Sequence, residues 1–262
     1  MYKVYCDKMN TLNHLTHILD VQQLKRLNHI LTTTYTPGLQ VVPNTPTPEH
    51  HQRLKHIYAV QPQLCIPRDT WTTHENWSLN KQMAQYHMPI RRLLHKVVCE
   101  LCDGYASRRP VKEATHTFNH TLSAAYTRFQ QFECILHQHA EREETHLFRK
   151  MSKRVVDIDF NILCAAHREI DSCVERVDVL FTHLTQRPTQ QQTNRLDASF
   201  APLLVALLEL HTRLMEHLNE EEDILVPMSL VQPDAMHDQW PFSPDLEDDT
   251  SASGHPRIRH RL

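Results

Sequence analysis

Residues 200–229 read FAPLLVALLELHTRLMEHLNEEEDILVPMS, and their apolar side chains recur in alternating steps of three and four residues. This spacing forms one apolar stripe along a helix and is typical of the buried seam of a helical bundle. The same spacing occurs at residues 80–102, 117–151 and 158–186. Because the connections are polar or contain proline, the sequence predicts an all-α fold, a four-helix bundle with up-down-up-down topology.

Polar side chains interrupt this seam in all four segments. They are four histidines and two glutamates: His87, His139, Glu143, His167, His217 and Glu221. Each glutamate follows a histidine by four residues, which places both on the same helical face. At a rise of about 1.5 Å per residue, all six lie about 10–15 Å from one end of the bundle. Because buried carboxylates without partners are costly, we interpret the six side chains as metal ligands.

Ligand chemistry alone is compatible with iron, zinc or manganese. Each of the two carboxylates can bridge, which indicates two metal ions with coordination positions left open for water, hydroxide or a diatomic ligand. Ferritin-like sites use Glu-x-x-His motifs and more carboxylates, so the histidine-rich set argues against a ferroxidase cage. Histidines off the seam are expected at the surface: His116, His120, His146, His183 and His211, together with the solvated pair His137 and Glu141.

Composition excludes several classes of protein. The 262 residues include only 3 glycines, too few for a P-loop or Rossmann fold, and the net charge of −3 argues against a nucleic-acid partner. The 7 cysteines are irregularly spaced, as in a reducing compartment, and the Cys99–Cys102 pair is interpreted as core packing. Without a signal peptide or a long apolar run, we expect a cytoplasmic or nuclear protein that has no membrane partner.

The chain divides into three predicted regions. Residues 1–70 form an N-terminal helical extension with a proline-rich linker, residues 71–230 form the bundle domain, and residues 231–262 form a disordered tail. Within the extension, the pattern predicts one amphipathic helix at residues 10–34 and a short helix at residues 49–59.

Four motifs on the seam resemble those of the hemerythrin-like (HHE cation-binding) family. They are HMPIRRLL from His87, HAEREETHLF from His139, HREI from His167 and HLNEEEDILVPM from His217. The resemblance implies a non-haem di-iron centre, two iron ions held by the six side chains named above.

Two departures argue against reversible oxygen transport. The oxygen carriers of the family have a second histidine one turn from the third-helix ligand, where this chain has Leu163 and Asp171, and they close the last helix with a longer-spaced aspartate instead of Glu221. The EEED run at residues 220–223 is more similar to the N-terminal iron-sensing domain of the F-box leucine-rich-repeat ubiquitin-ligase adaptor. That domain has a carboxylate directly after its second-helix histidine, where this chain has Ala140.

Three functions remain open at this point. The favoured hypothesis is a di-iron protein that binds or senses iron or oxygen and whose stability is read by a regulatory protein partner. The less favoured alternative is an enzyme acting on oxygen, peroxide or nitric oxide, with Tyr86 and Tyr126 as candidate proton donors. The last alternative is a structural interaction module with a degenerate metal site.

Overall fold

The structure is a computed structural model that describes residues 11–33, 46–107, 112–153, 158–186 and 193–232, with the backbone alone at 78–85, 112–117 and 193–197. The α-helices are α1 (Val21–Thr32), α2 (Pro48–Val60), α3 (Trp77–Ala106), α4 (Lys112–Arg142), α5 (Phe148–Met151), α6 (Asn161–Thr185) and α7 (Thr193–Val231). Two 3-10 turns, Pro62–Leu64 and Arg68–Thr73, lie between α2 and α3, and a π-helical turn, Glu143–Leu147, joins α4 to α5. No strand occurs in these described ranges.

The four long helices confirm the predicted helical bundle. Helix α3 packs against α4, α4 against α6, α6 against α7, and α7 back against α3. Close to the end of α3, Gly104 permits a near approach to α4, since an added Cβ would lie 2.5 Å from Cγ2 of Thr121. Helices α3 and α7 extend beyond their predicted segments, 80–102 and 200–229, at both ends. Helix α4 begins before the predicted residue 117, whereas α6 is shorter than its predicted segment, 158–186.

The N-terminal extension packs on the outside of this bundle, with α1 against α3 and α7, and α2 against α7. The prediction of one continuous helix at residues 10–34 is wrong, because the chain is helical at 11–15, leaves the helix, and begins α1 at Val21. Asp20 restarts the helix through a capping box in which its carboxylate accepts from the Gln23 amide and the Gln23 side chain accepts from the Asp20 amide.

The short helix predicted at residues 49–59 is confirmed as α2, which is capped by Thr47 and has Pro48 in its first turn. Most of the proline-rich linker, at residues 34–45, and nearly all of the predicted tail, from residue 233 onward, lie outside the described residues.

Two hydrophobic clusters fill the core, and the six predicted ligands lie between them. The first cluster includes Phe129, Phe181 and Leu214, and the second includes Trp71 and Met228. In each long helix the boundary between the clusters falls at a predicted ligand. On α7, for example, the first cluster extends to Leu218 and the second begins at Ile224, with Glu221 between them. A polar layer therefore crosses the bundle between two apolar regions.

Helix α7 is the most apolar helix of this core. Over Ala198–Val231 it is long and apolar enough to cross a membrane by length and composition alone, and half of its most apolar window is buried inside the protein. A core helix of a bundle passes the same test, so this single helix is weak evidence for a membrane span.

The surface location predicted for His211 is wrong, since this side chain is only 6% exposed. Helix α1 covers the outer face of α7, and His29 and Ile30 of α1 line the same cavity as His211. The prediction is confirmed for His120, His146, His183, His137 and Glu141, which are exposed, whereas the side chain of His116 lies outside the description.

We expect the burial of His211 to make stability fall in mild acid. Burial first, and then the nearby His95, His29 and Arg91, lower the pKa of His211 from 6.5 to about 3. Between pH 7 and pH 5 the unfolded chain gains a proton here that the folded chain does not, so folding becomes less favourable by about 2 kcal/mol. His211→Leu lacks this titrating group. At matched metal content, its loss of unfolding free energy between pH 7 and pH 5 should therefore be about 2 kcal/mol smaller than the loss in the wild type.

The exposed His183 provides the matched control, since it is in contact with water in both states. His183→Leu should keep the wild-type pH dependence, measured by denaturant unfolding at each pH. An identical pH dependence in His211→Leu and the wild type would contradict the account of His211.

Candidate metal centre

All six predicted ligands converge in the polar layer. His87 is on α3, His139 is on α4, and Glu143 begins the π-helical turn, while His167 is on α6 and both His217 and Glu221 are on α7. None of the six residues is more than 7% exposed.

The four imidazoles form two pairs. The ring centroids of His87 and His139 are 5.1 Å apart, and those of His167 and His217 are 4.6 Å apart. Within each pair the rings meet edge to face, with interplanar angles of 84° and 81°. The two pairs define two halves of the site.

Glu221 lies between the two halves and presents one oxygen to each. Its Oε2 atom is 3.5 Å from Nε2 of His87 and 3.9 Å from Nε2 of His139. Its Oε1 atom is 3.1 Å from Nε2 of His217 and 3.4 Å from Nε2 of His167.

Glu143 also presents one carboxylate oxygen to each half of the site. Its Oε1 atom is 3.3 Å from Nε2 of His139, and its Oε2 atom is 3.5 Å from Nε2 of His167. Each half of the site therefore has two imidazole nitrogens and two carboxylate oxygens, one from each glutamate. Two groups could each hold a metal ion, with ligand atoms within 4.8 Å of one another: His87, His139, Glu143 and Glu221 in one, and His167, His217 and Glu221 in the other.

Several atoms that face this space are buried and have no hydrogen-bond partner. They are Nε2 of His139, His167 and His217, Oε2 of Glu143 and both carboxylate oxygens of Glu221. A buried polar atom without a partner costs about 1–3 kcal/mol, so such atoms rarely cluster by chance. Imidazole nitrogens and carboxylate oxygens are ligands for divalent transition metals, and cations bound among them would satisfy these atoms. The residues present therefore fit a metal centre.

The charges of the site are strongly coupled. Burial alone would lower the pKa of His167, but the carboxylates of Glu143 and Glu221 outweigh it and raise that pKa to about 11. Burial alone would raise the pKa of Glu221, but the surrounding imidazoles, His217 foremost, hold it well below its ordinary value. The pKa of His139 is raised as well, so protons on His139 and His167 balance the carboxylates, and a metal ion would have to displace them.

Two of the imidazoles are oriented by carboxylates outside the ligand set. Nδ1 of His87 lies 2.9 Å from Oε1 of Glu222, and Nδ1 of His167 lies 2.8 Å from Oε1 of Glu144. A ring that donates its Nδ1 proton to a carboxylate has its Nε2 lone pair free for a cation. Both contacts turn Nε2 towards the centre of the site.

The π-helical turn places two adjacent glutamates against the same imidazole. Glu143 contacts Nε2 of His167 and Glu144 contacts Nδ1 of that ring, although the side chain of Glu144 is 40% exposed. A π-helical turn widens the helix locally and is frequent at functional sites. Neither this turn nor the role of Glu144 follows from the apolar spacing of the sequence.

Residues 220–223 are four consecutive buried acids, of which the sequence pattern identified only Glu221 as a ligand. Burial alone would raise the pKa of Glu222, but Arg91, 2.9 Å away, and then His87 lower it to about 2. The sequence does contain a signal for such basic partners. Four consecutive acids are unexpected on an apolar core helix, so they indicate that basic side chains pair with them.

The two candidate proton donors of the enzyme hypothesis differ in their distance from the site. Tyr126 lies about 20 Å from His139 along α4, and its hydroxyl donates to Asp178 at 2.9 Å, so its assignment as a proton donor is wrong. Tyr86 directly precedes His87, and burial raises the pKa of Tyr86 to about 12.

Residues 78–229 match the family model described as Hemerythrin HHE cation binding domain. Comparisons with curated proteins and with solved structures each gave no match. The matched range covers more than half of the chain and includes all six predicted ligands, as well as the four long helices that hold them. By this match, together with its helical bundle and its buried histidine and glutamate clusters, the chain belongs to the hemerythrin HHE cation-binding domain family.

Proposed function

We propose that this protein binds a pair of iron ions and senses iron or oxygen through the occupancy of that pair. The proposed ligands are His87, His139, Glu143, His167, His217 and Glu221. The observation that carries the proposal is the position of the two glutamates, each with one oxygen towards either histidine pair.

Two ions account for this arrangement better than one. A single cation in one half of the site would leave the unpartnered atoms of the other half, such as Nε2 of His167 and His217, without compensation. Two cations, one in each half and held by the six side chains, would use every one of these atoms. The two groups offer four and three protein ligands, so each ion would keep a coordination position for a small molecule.

Iron is favoured among the metals that accept this ligand set because the chain belongs to the hemerythrin HHE family. Imidazole together with carboxylate suits iron, and coordination positions that the protein does not fill would suit an ion that binds oxygen. Zinc and manganese are the competing ions, and metal analysis distinguishes them directly.

Sensing would follow from the way the ligands are distributed. Each of the four long helices supplies at least one, so bound cations cross-link the whole bundle. Loss of the cations leaves Glu143 and Glu221 buried, with only imidazolium protons to balance them. A regulatory partner could then read iron status from the stability of the bundle.

We expect protein purified from iron-replete cells to contain about two iron ions per chain, and a chelator to lower its melting temperature by about 5–10 °C. Glu221→Ala should lose the iron and its response to chelator, whereas Glu141→Ala, an exposed position near Glu143, should keep both. Metal content by mass spectrometry and melting by circular dichroism provide the test. A metal-free wild type with an unchanged melting temperature would contradict the proposal and favour a structural module.

We also expect the outer carboxylate Glu144 to tune the metal affinity. Glu144→Ala removes the 2.8 Å contact to Nδ1 of His167 and should weaken iron binding about 10–100-fold. Glu141→Ala serves again as the control, since that side chain is exposed on the preceding turn. Competition with a chromogenic chelator measures both, and equal affinities would show that Glu144 does not orient the ring.

A cavity supports the enzyme as a second candidate function. It has a volume of about 890 Å³ and lies between the N-terminal helices and α6 and α7, with His217 in its wall. A small oxidant or nitric oxide could reach that half of the site through the cavity, whereas Tyr86, the remaining candidate proton donor, precedes His87 of the other half and does not line the cavity. Sustained consumption of peroxide or nitric oxide by the iron-loaded protein would favour the enzyme, whereas stoichiometric binding would favour the sensor.

A further inference from the structure

The acid run of α7, residues 220–223, is paired with basic side chains from inside and outside the bundle. Glu220, Glu222 and Asp223 are 7%, 2% and 7% exposed, and they flank the proposed ligand Glu221. Within the matched family domain, Arg91 supplies one guanidinium, which donates to Glu222 at 2.9 Å. In the part of the chain that the structure describes, two further guanidinium groups bind this run, and both come from outside that domain.

Two arginines of the N-terminal extension bind this run directly. Arg53, on α2, pairs with Glu220, with an Nη2 to Oε2 distance of 2.7 Å. Arg68 contacts three acceptors: Oδ1 of Asp223 at 2.5 Å, Oε2 of Glu222 at 3.1 Å and the backbone oxygen of Asn219 at 2.9 Å. Both arginines precede residue 78, where the family match begins.

Apolar packing holds these arginines in place. Leu54, Ile57, Leu64 and Trp71 belong to the second hydrophobic cluster, together with residues of α7 such as Met228. The guanidinium of Arg68 lies 4.9 Å from the centroid of the Trp71 ring, a cation–π contact. The indole nitrogen of Trp71 in turn donates to the backbone of Ile66 at 2.9 Å.

Glu222 connects Arg68 to the metal centre. One of its oxygens is 3.1 Å from Nη1 of Arg68, and the other is 2.9 Å from Nδ1 of His87. Together with Arg91, Arg68 therefore fixes the carboxylate that orients a proposed ligand, and through Asp223 it contacts the turn of α7 that carries Glu221.

We propose that residues 46–73, the N-terminal clamp, are a working part of the metal centre and that Arg68 is its positioning residue. This inference rests on the proposed function. Docking of the clamp holds His87 and Glu221 in their binding positions, so it raises metal affinity. Because such coupling is reciprocal, bound metal in turn stabilises the docked clamp, and loss of metal loosens it.

The test compares two clamp variants with a matched control in the full-length, iron-loaded protein. Arg68→Gln should lower iron affinity, measured by chelator competition, about 10–100-fold. Arg53→Gln should have a smaller effect, because Arg53 binds Glu220, whereas Arg68 binds the partner of His87. Arg128→Gln should have none, since Arg128 pairs with Glu100 between α3 and α4, outside the clamp. The visible absorption spectrum should also change in Arg68→Gln, which a loss of packing alone would not produce.

Two further measurements guard against a variant that does not fold. Arg68→Lys keeps the charge but lacks the planar guanidinium that spreads its donors over separated acceptors, and it should show a smaller loss of affinity in the same direction. In the wild type, iron should slow amide hydrogen exchange in α2. Unchanged affinity in folded Arg68 variants, or equal exchange in α2 with and without iron, would overturn the clamp and leave the proposed metal site intact. A wild type that binds no iron would overturn both.

Discussion

The cost of burying Glu143 and Glu221 between two hydrophobic clusters constrains the rest of the structure. Both carboxylates are almost fully excluded from water, and such groups are stable in a core only with compensating charge. Four imidazoles surround them at 3.1–3.9 Å, and the shared geometry leaves two spaces that suit cations. The helical bundle brings these groups together from all four long helices, and their mutual dependence links folding to the chemistry of the site.

A second layer of charges extends this dependence beyond the bundle. Glu222 joins Arg91 and Arg68 to His87, and Glu144 holds His167 from the opposite side. Part of this layer comes from residues that precede the matched family domain. Arg53 and Arg68 of the extension pair with three buried acids of the last helix, so the extension contributes directly to the surroundings of the site.

The bundle and the six proposed ligands could be predicted because a buried charge breaks an otherwise regular apolar pattern at identifiable positions. The outer partners could not, since they lie off the seam and far away in sequence: Arg68 and Asp223 are separated by 155 residues. The break before α1 was missed because the apolar spacing continues across it, while Asp20 begins a new helix through its capping box with Gln23. His211 was misplaced because the pattern of one helix carries no information about the helix that covers it.

The central claim is that two cations lie side by side in the polar layer, each facing one pair of histidines. Anomalous diffraction at the iron absorption edge, from crystals of the iron-loaded protein, tests it most directly. The account predicts two peaks per chain, one beside His87 and His139 and one beside His167 and His217, with Glu143 and Glu221 between them. A single peak, a peak elsewhere, or no peak in the polar layer would contradict it.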